Sequence, residues 1–146
     1  MRGSLRIARI SGIDIGIHYT WLLVFILVIW SLAQGFFPQY YPGWNTVTYW
    51  TTGVLAAVFL FLSVLVHELA HSLIARKHGL PMTGITLFIF GGVAEMQDEP
   101  PSPRAEFHMA IAGPITSIAI ALVFLGLSLT IKGTEAVKPV YGVFMY

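Results

Sequence analysis

Cysteine is absent from the 146 residues, which excludes disulfides and thiolate metal ligands and removes the usual sequence marker of redox compartment. Charge is nearly as scarce. Asp, Glu, Lys and Arg make up only 10% of the chain, against about 25% in ordinary soluble domains, and none occurs in the 52 residues from Ile15 through Val66. About 20 apolar residues cover a bilayer once, so a charge-free stretch of this length must cross and return. The net charge is only +1 and the basic residues form no cluster, which leaves no electrostatic footprint for a nucleic-acid partner. Internal repetition is also missing, and this argues against a transporter built from two related halves.

What remains is hydrocarbon, at 56% apolar residues. The expected fold class is an α-helical integral membrane protein, a single membrane-embedded domain over residues 1–146 with the lipid bilayer as its surroundings. It has at least three transmembrane helices and a short membrane-associated β-hairpin or strand segment. The spans are placed at about residues 19–36, 46–75 and 105–131, and the strands at about 84–96. Ile10 to His18 alternates like a short strand or extended arm at the membrane surface. Arg2, Arg6, Arg9 and then Ser31-Leu32-Ala33 also follow the order of a secretory leader, but the long apolar stretch and the second one behind it favour a span. Phe37 to Asn45 carries prolines, a glycine and aromatics, as an interfacial loop would. Arg2, Arg6, Arg9, Arg76, Lys77 and Arg104 fall on one proposed side and only Lys132 and Lys138 on the other. This bias predicts a multi-pass protein whose N-terminus faces the cytoplasm.

Within the second apolar run lies His67-Glu68-Leu69-Ala70-His71. Residues four apart on a helix project from one face, so both imidazoles can reach a single ion. Neutral imidazoles suit zinc, and Glu68 stands close enough to that face to take a proton from water at an open coordination position, the arrangement of a metalloprotease. A shuffled chain of this composition would contain the pattern about 0.006 times. Two imidazoles and a carboxylate at membrane depth also cost several kcal/mol unless they have partners, so a bystander helix is a poor explanation. Arg76, Lys77 and Gly79 end the helix, which places the motif one to two turns inside the cytoplasmic boundary. His18 is a further possible ligand, with an interfacial, solvent-satisfied role as the preferred reading.

Gly84 to Met96 is too short to span, rich in β-branched and aromatic residues, and reads as two strands with a turn or bulge at Gly91-Gly92. Two roles stay open for it. One is packing alone; the other is an edge strand beside the metal, with Gly91, Gly92 and Val93 pairing an extended substrate. Ala112-Gly113-Pro114-Ile115-Thr116-Ser117 supplies small residues for close helix packing, with shaping of the site as the alternative.

Ile10-Ser11-Gly12-Ile13, the histidine motif, Phe90-Gly91-Gly92-Val93-Ala94 and Ala112-Gly113-Pro114, in this order and spacing, resemble the site-2 protease family of intramembrane zinc metalloproteases over nearly the whole chain. The resemblance implies that His67 and His71 ligate one Zn2+ and that Glu68 is the catalytic base. It implies clients that are transmembrane segments of other proteins, commonly membrane-tethered regulators, cut near the cytoplasmic boundary. Members take a third zinc ligand from an aspartate in an Asp-Gly motif on a later transmembrane helix, and no Asp-Gly occurs up to Tyr146. The resemblance therefore implies that this is the N-terminal part of a longer enzyme whose third ligand lies beyond residue 146. Asp14, Asp98 and Glu99 lie in unsuitable segments, and Glu95 is the nearest local substitute. The competing class is a membrane homologue that binds metal or transmembrane clients without cleaving them. Retention of Glu68 speaks against it, and the missing aspartate speaks for it.

Overall fold

The computed structural model describes residues 4–89, 91–96 and 100–131. Arg2, Phe90, Asp98, Glu99, Lys132, Lys138 and the segment from Gly133 to Tyr146 lie outside the described residues, as do the side chains of Ala94, Glu95 and Met96. In chain order the elements are β1 (Ser4–Ile10), β2 (Ile13–His18), α1 (Tyr19–Ser31), a π-helical turn (Leu32–Phe36), α2 (Phe37–Tyr40), α3 (Thr46–Lys77), β3 (Met82–Phe88), β4 (Gly91–Met96) and α4 (Pro103–Ile131). Three helical segments, Tyr19–Tyr40, Thr46–Lys77 and Pro103–Thr130, are long and apolar enough to cross a membrane. The chain divides into two compact units. One contains the residues up to Leu23 with Ser63 to Ile118, and the other contains Val24 to Leu62 with the α4 residues from Ala119.

The first unit carries a four-stranded sheet in the order β1-β2-β3-β4. The sequence reading of Ile10 to His18 as one strand or arm needs correction, because the chain reverses at Ser11 and Gly12, both at positive φ (49° and 78°). An antiparallel hairpin results, with Ile10 opposite Ile13 and Ser4 opposite His18. β2 then pairs in parallel with β3, Ile15 beside Ile85, and β3 pairs antiparallel with β4. The turn between β3 and β4 falls before the glycine pair: Gly91 already opposes Phe88 and Gly92 opposes Leu87. The segment is thus one half of a sheet and not a free-standing hairpin. Ile13, Ile85, Leu80 and Met82 bury themselves with Ala75 of α3 and Met109 of α4, and Leu69, Leu73 and Ile74 pack against the cluster. This core fixes the sheet to the end of α3 that carries the histidines.

Two backbone devices set where α3 stops. Gly79 has φ +85°, a conformation that costs a residue with a Cβ about 1–2 kcal/mol. Gly79 N–H donates to the Arg76 carbonyl (3.0 Å) and Leu80 N–H to that of Ala75 (3.1 Å), the paired bonds of a Schellman close. Beyond them the Arg76 guanidinium donates to the Ser11 carbonyl, tying the helix end to the β1–β2 turn. α4 begins at Pro103, whose missing N–H is harmless in a first turn, and Ser102 Oγ accepts the Ala105 N–H (3.2 Å).

In the second unit the helix does not end at Phe36 as the sequence suggests. It widens into the π turn and continues through α2, where Phe37 N–H reaches back to the Leu32 carbonyl. Pro38 follows, and a proline ring clashes with the carbonyl four residues behind it, so the wider turn accommodates it. Ser31-Leu32-Ala33 lies inside this helical stretch with Leu32 and Ala33 buried. Leu32, Phe37 and Ala56 form a core with Phe36, Tyr41, Trp44 and Tyr49 around it. Tyr41 and Trp44 stack at 4.9 Å, and the Tyr49 hydroxyl donates to the Tyr41 carbonyl (2.9 Å). Asn45 Oδ1 accepts the Thr48 N–H (2.8 Å) and caps α3.

Candidate metal centre

His67 and His71 occupy successive turns of α3 and their rings meet edge to face, with centroids 4.7 Å apart at 74°. The two Nε2 atoms are 3.0 Å apart. Nitrogens this close repel unless a proton or a cation lies between them. For zinc with Zn–N of about 2.0–2.1 Å, two tetrahedral ligands sit about 3.3 Å apart, close to what the pair adopts without an ion.

The other ring nitrogens are both held by α4. His71 Nδ1 lies 2.6 Å from the Met109 carbonyl oxygen, which only accepts, so the imidazole proton belongs on Nδ1 and Nε2 keeps its lone pair for a metal. His67 Nδ1 lies 2.8 Å from Ser117 Oγ. Between these two contacts α4 presents Gly113. A Cβ built there would lie 2.5 Å from His67 Nε2 and still nearer to that of His71, so the imidazoles fill the space that any other residue would need. The donor set therefore fits zinc as two ligands.

Glu68 turns to the sheet. A Cβ at Gly92 would lie 2.8 Å from its Cδ and 3.2 Å from its Oε1, which places the carboxylate against the backbone of β4. β4 is the edge strand on that side. Glu68 thus meets β4, while the imidazoles of the same helix meet α4, and Gly91 and Val93 flank the point of contact of Glu68 on the strand. His18 is engaged elsewhere: its Nδ1 lies 2.8 Å from Thr20 Oγ1 and accepts the Thr20 N–H (3.4 Å) at the start of α1. Among the described residues no group of three His, Asp or Glu side chains gathers around one point.

The sequence reads the stretch from Ala112 to Ser117 chiefly as close helix packing, with shaping of the site as the alternative, and gives no role to Met109. The spacing of 109, 113 and 117 by four residues was the available signal, since it puts a carbonyl, a gap and a hydroxyl on one helical face.

The profile of peptidase family M50 matches residues 55–144. The chain belongs to peptidase family M50, the site-2 proteases. The chain is 38% identical over 135 residues to a Mycobacterium tuberculosis protein named as zinc metalloprotease Rip3, covering 92% of this chain and 34% of that protein. It is 40% identical over 144 residues to a Synechocystis protein named as zinc metalloprotease sll0528, covering 97% and 36%. Among solved structures, the site-2 protease from Methanocaldococcus jannaschii superposes with TM-score 0.67 at 33% identity, covering 97% of this chain and 59% of that one. The chain spans about a third of the length of the curated relatives it matches. The matched segment contains the histidine motif and the α4 face that meets it.

Proposed function

We propose that this chain carries the catalytic motif of an intramembrane zinc metalloprotease that hydrolyses peptide bonds in or near transmembrane segments of other membrane proteins. The observation that carries the proposal is the convergence of His67 and His71 Nε2 at 3.0 Å, with Glu68 next in the chain to His67 and set against Gly92. Family membership supports it, as do the three helices able to cross a membrane. His67 and His71 are two ligands of one ion, and a third protein ligand comes from outside the described residues. Zinc, when bound there, supplies a Lewis acid that makes water nucleophilic near neutral pH and polarises a peptide carbonyl.

Glu68 takes the proton of the attacking water and returns it to the leaving amine. Because it lies against Gly92, a substrate strand added to the edge of β4 at Gly91, Gly92 and Val93 would run past this carboxylate. A helical substrate hides its carbonyls in its own hydrogen bonds, so the client must unwind into extended form before it can pair there. Arg76 and Lys77 close α3 one to two turns beyond the motif, which supports a site just inside the cytoplasmic boundary, reached by water from that side.

A second reading is a homologue that binds metal or clients without cutting. It is favoured by the missing third ligand among the described residues. Glu68→Gln in the full-length protein, reconstituted in lipid with a transmembrane substrate, separates the two. Under the protease reading zinc content is unchanged and cleavage stops. Cleavage that persists at the wild-type rate in the variant removes Glu68 from the chemistry, and a wild-type protein that binds zinc and clients but cuts nothing establishes the second reading.

A further inference from the structure

We infer that Ser117 is a positioning residue of the metal centre, whose hydroxyl holds the His67 imidazole in the orientation that ligation requires, whichever ring nitrogen carries the proton. This rests on the reading of His67 and His71 as zinc ligands. The two rings are supported unequally. His71 Nδ1 faces the Met109 carbonyl at 2.6 Å, an acceptor only, so its tautomer is fixed whether or not an ion is present. His67 Nδ1 faces a hydroxyl at 2.8 Å, and a hydroxyl both donates and accepts.

That difference matters because the two Nε2 atoms lie 3.0 Å apart. With no ion between them, His71 offers only a lone pair, and the stable arrangement has His67 Nε2–H donating to it. Ser117 then donates its O–H to His67 Nδ1. To ligate a cation, His67 must present a bare Nε2 and carry its proton on Nδ1, where the Ser117 oxygen accepts it. A carbonyl at this position would serve only the ligated arrangement. The hydroxyl serves both, so neither state leaves His67 Nδ1 unpaired, and the ring keeps its place as the ion enters or leaves.

The placement of Ser117 is specific to this task. The neighbouring Thr116 hydroxyl is turned back to its own helix, donating to the Ala112 carbonyl (2.8 Å), whereas that of Ser117 crosses to α3. Met109, Gly113 and Ser117 share one face of α4, so a single helix supplies the acceptor for one ring, the gap for both and the hydroxyl for the other. Partners of this kind typically change metal affinity 10- to 100-fold when removed.

The test uses the full-length protein purified in detergent, with zinc affinity measured by competition against a chromophoric chelator and site geometry read from the visible spectrum of the cobalt(II) form. Ser117→Thr keeps the hydroxyl, Ser117→Val has the same shape without it, and Ser117→Ala removes it with least bulk. The Ala and Val variants should bind zinc about 10- to 100-fold more weakly and show an altered cobalt spectrum, while Thr should match the wild type. Any folding defect caused by β-branching would strike Thr and Val alike, and Ala avoids it. An Ala variant that binds zinc as tightly as the wild type with the same cobalt spectrum overturns the inference and leaves the metalloprotease reading standing. A wild-type protein that binds no zinc overturns both.

Discussion

Replacing Gly113 by alanine adds one methyl group on the face of α4 that meets the histidines. A Cβ there would lie 2.5 Å from His67 Nε2 and nearer still to His71 Nε2, while carbon and nitrogen in van der Waals contact stay about 3.5 Å or more apart. The rings must retreat by about 1 Å. If the rings turn, His71 gives up its 2.6 Å bond to the Met109 carbonyl, a loss of about 0.5–1.5 kcal/mol, and leaves its rotamer at a similar cost. If α4 shifts instead, that bond and the one from His67 to Ser117 both lengthen. Against this, alanine is a better helix former than glycine by about 1 kcal/mol. The fold should therefore change in stability by no more than about 1–2 kcal/mol, while the imidazole pair loses its shared focus and zinc affinity falls at least about 100-fold. Zinc content after dialysis against a weak chelator, measured beside thermal unfolding in the same detergent, checks both halves. A Gly113→Ala protein that retains stoichiometric zinc at wild-type affinity would refute the packing argument.

Other substitutions probe separate parts of the construction. Gly92→Ala should push the Glu68 side chain off the β4 backbone, against which a Cβ would lie 2.8 Å from its Cδ; cleavage should fall about 10- to 100-fold with zinc content unchanged, as misplacement of a base by about 1 Å does. Gly79→Ala forces a residue with a Cβ to φ +85° and should lower stability by about 1–2 kcal/mol in denaturant unfolding, with zinc affinity per folded molecule preserved. Asn45→Ala removes the acceptor of the Thr48 N–H and should cost about 1 kcal/mol, seen as a lower unfolding midpoint with cleavage kinetics unaltered. A change in zinc affinity for Asn45→Ala would contradict its assignment as a cap alone.

The linear chain by itself determined much of what depends on near neighbours, though not the reversal at Ser11-Gly12 or the continuation of the first long helix past Phe36. The charge-free run from Ile15 to Val66 announced long apolar helices, because a helix satisfies its backbone hydrogen bonds within its own segment. The four-residue step from His67 to His71 put the imidazoles on one face, because helical geometry is local. Lys77 followed by Gly79 marked the end of α3 for the same reason. Tertiary structure decided what depends on residues far apart in the chain. That β2 lies beside β3 with 63 residues between His18 and Met82, turning two local hairpins into one sheet, follows from shared burial of Ile13 and Ile85 and has no local signature. Gly92 beside Glu68, and the carbonyl of Met109 and the hydroxyl of Ser117 on the two rings, arise only once strand and helices are packed. Spacing announces which groups share a face, but the partner that orients each group comes from another segment, and packing alone brings it there.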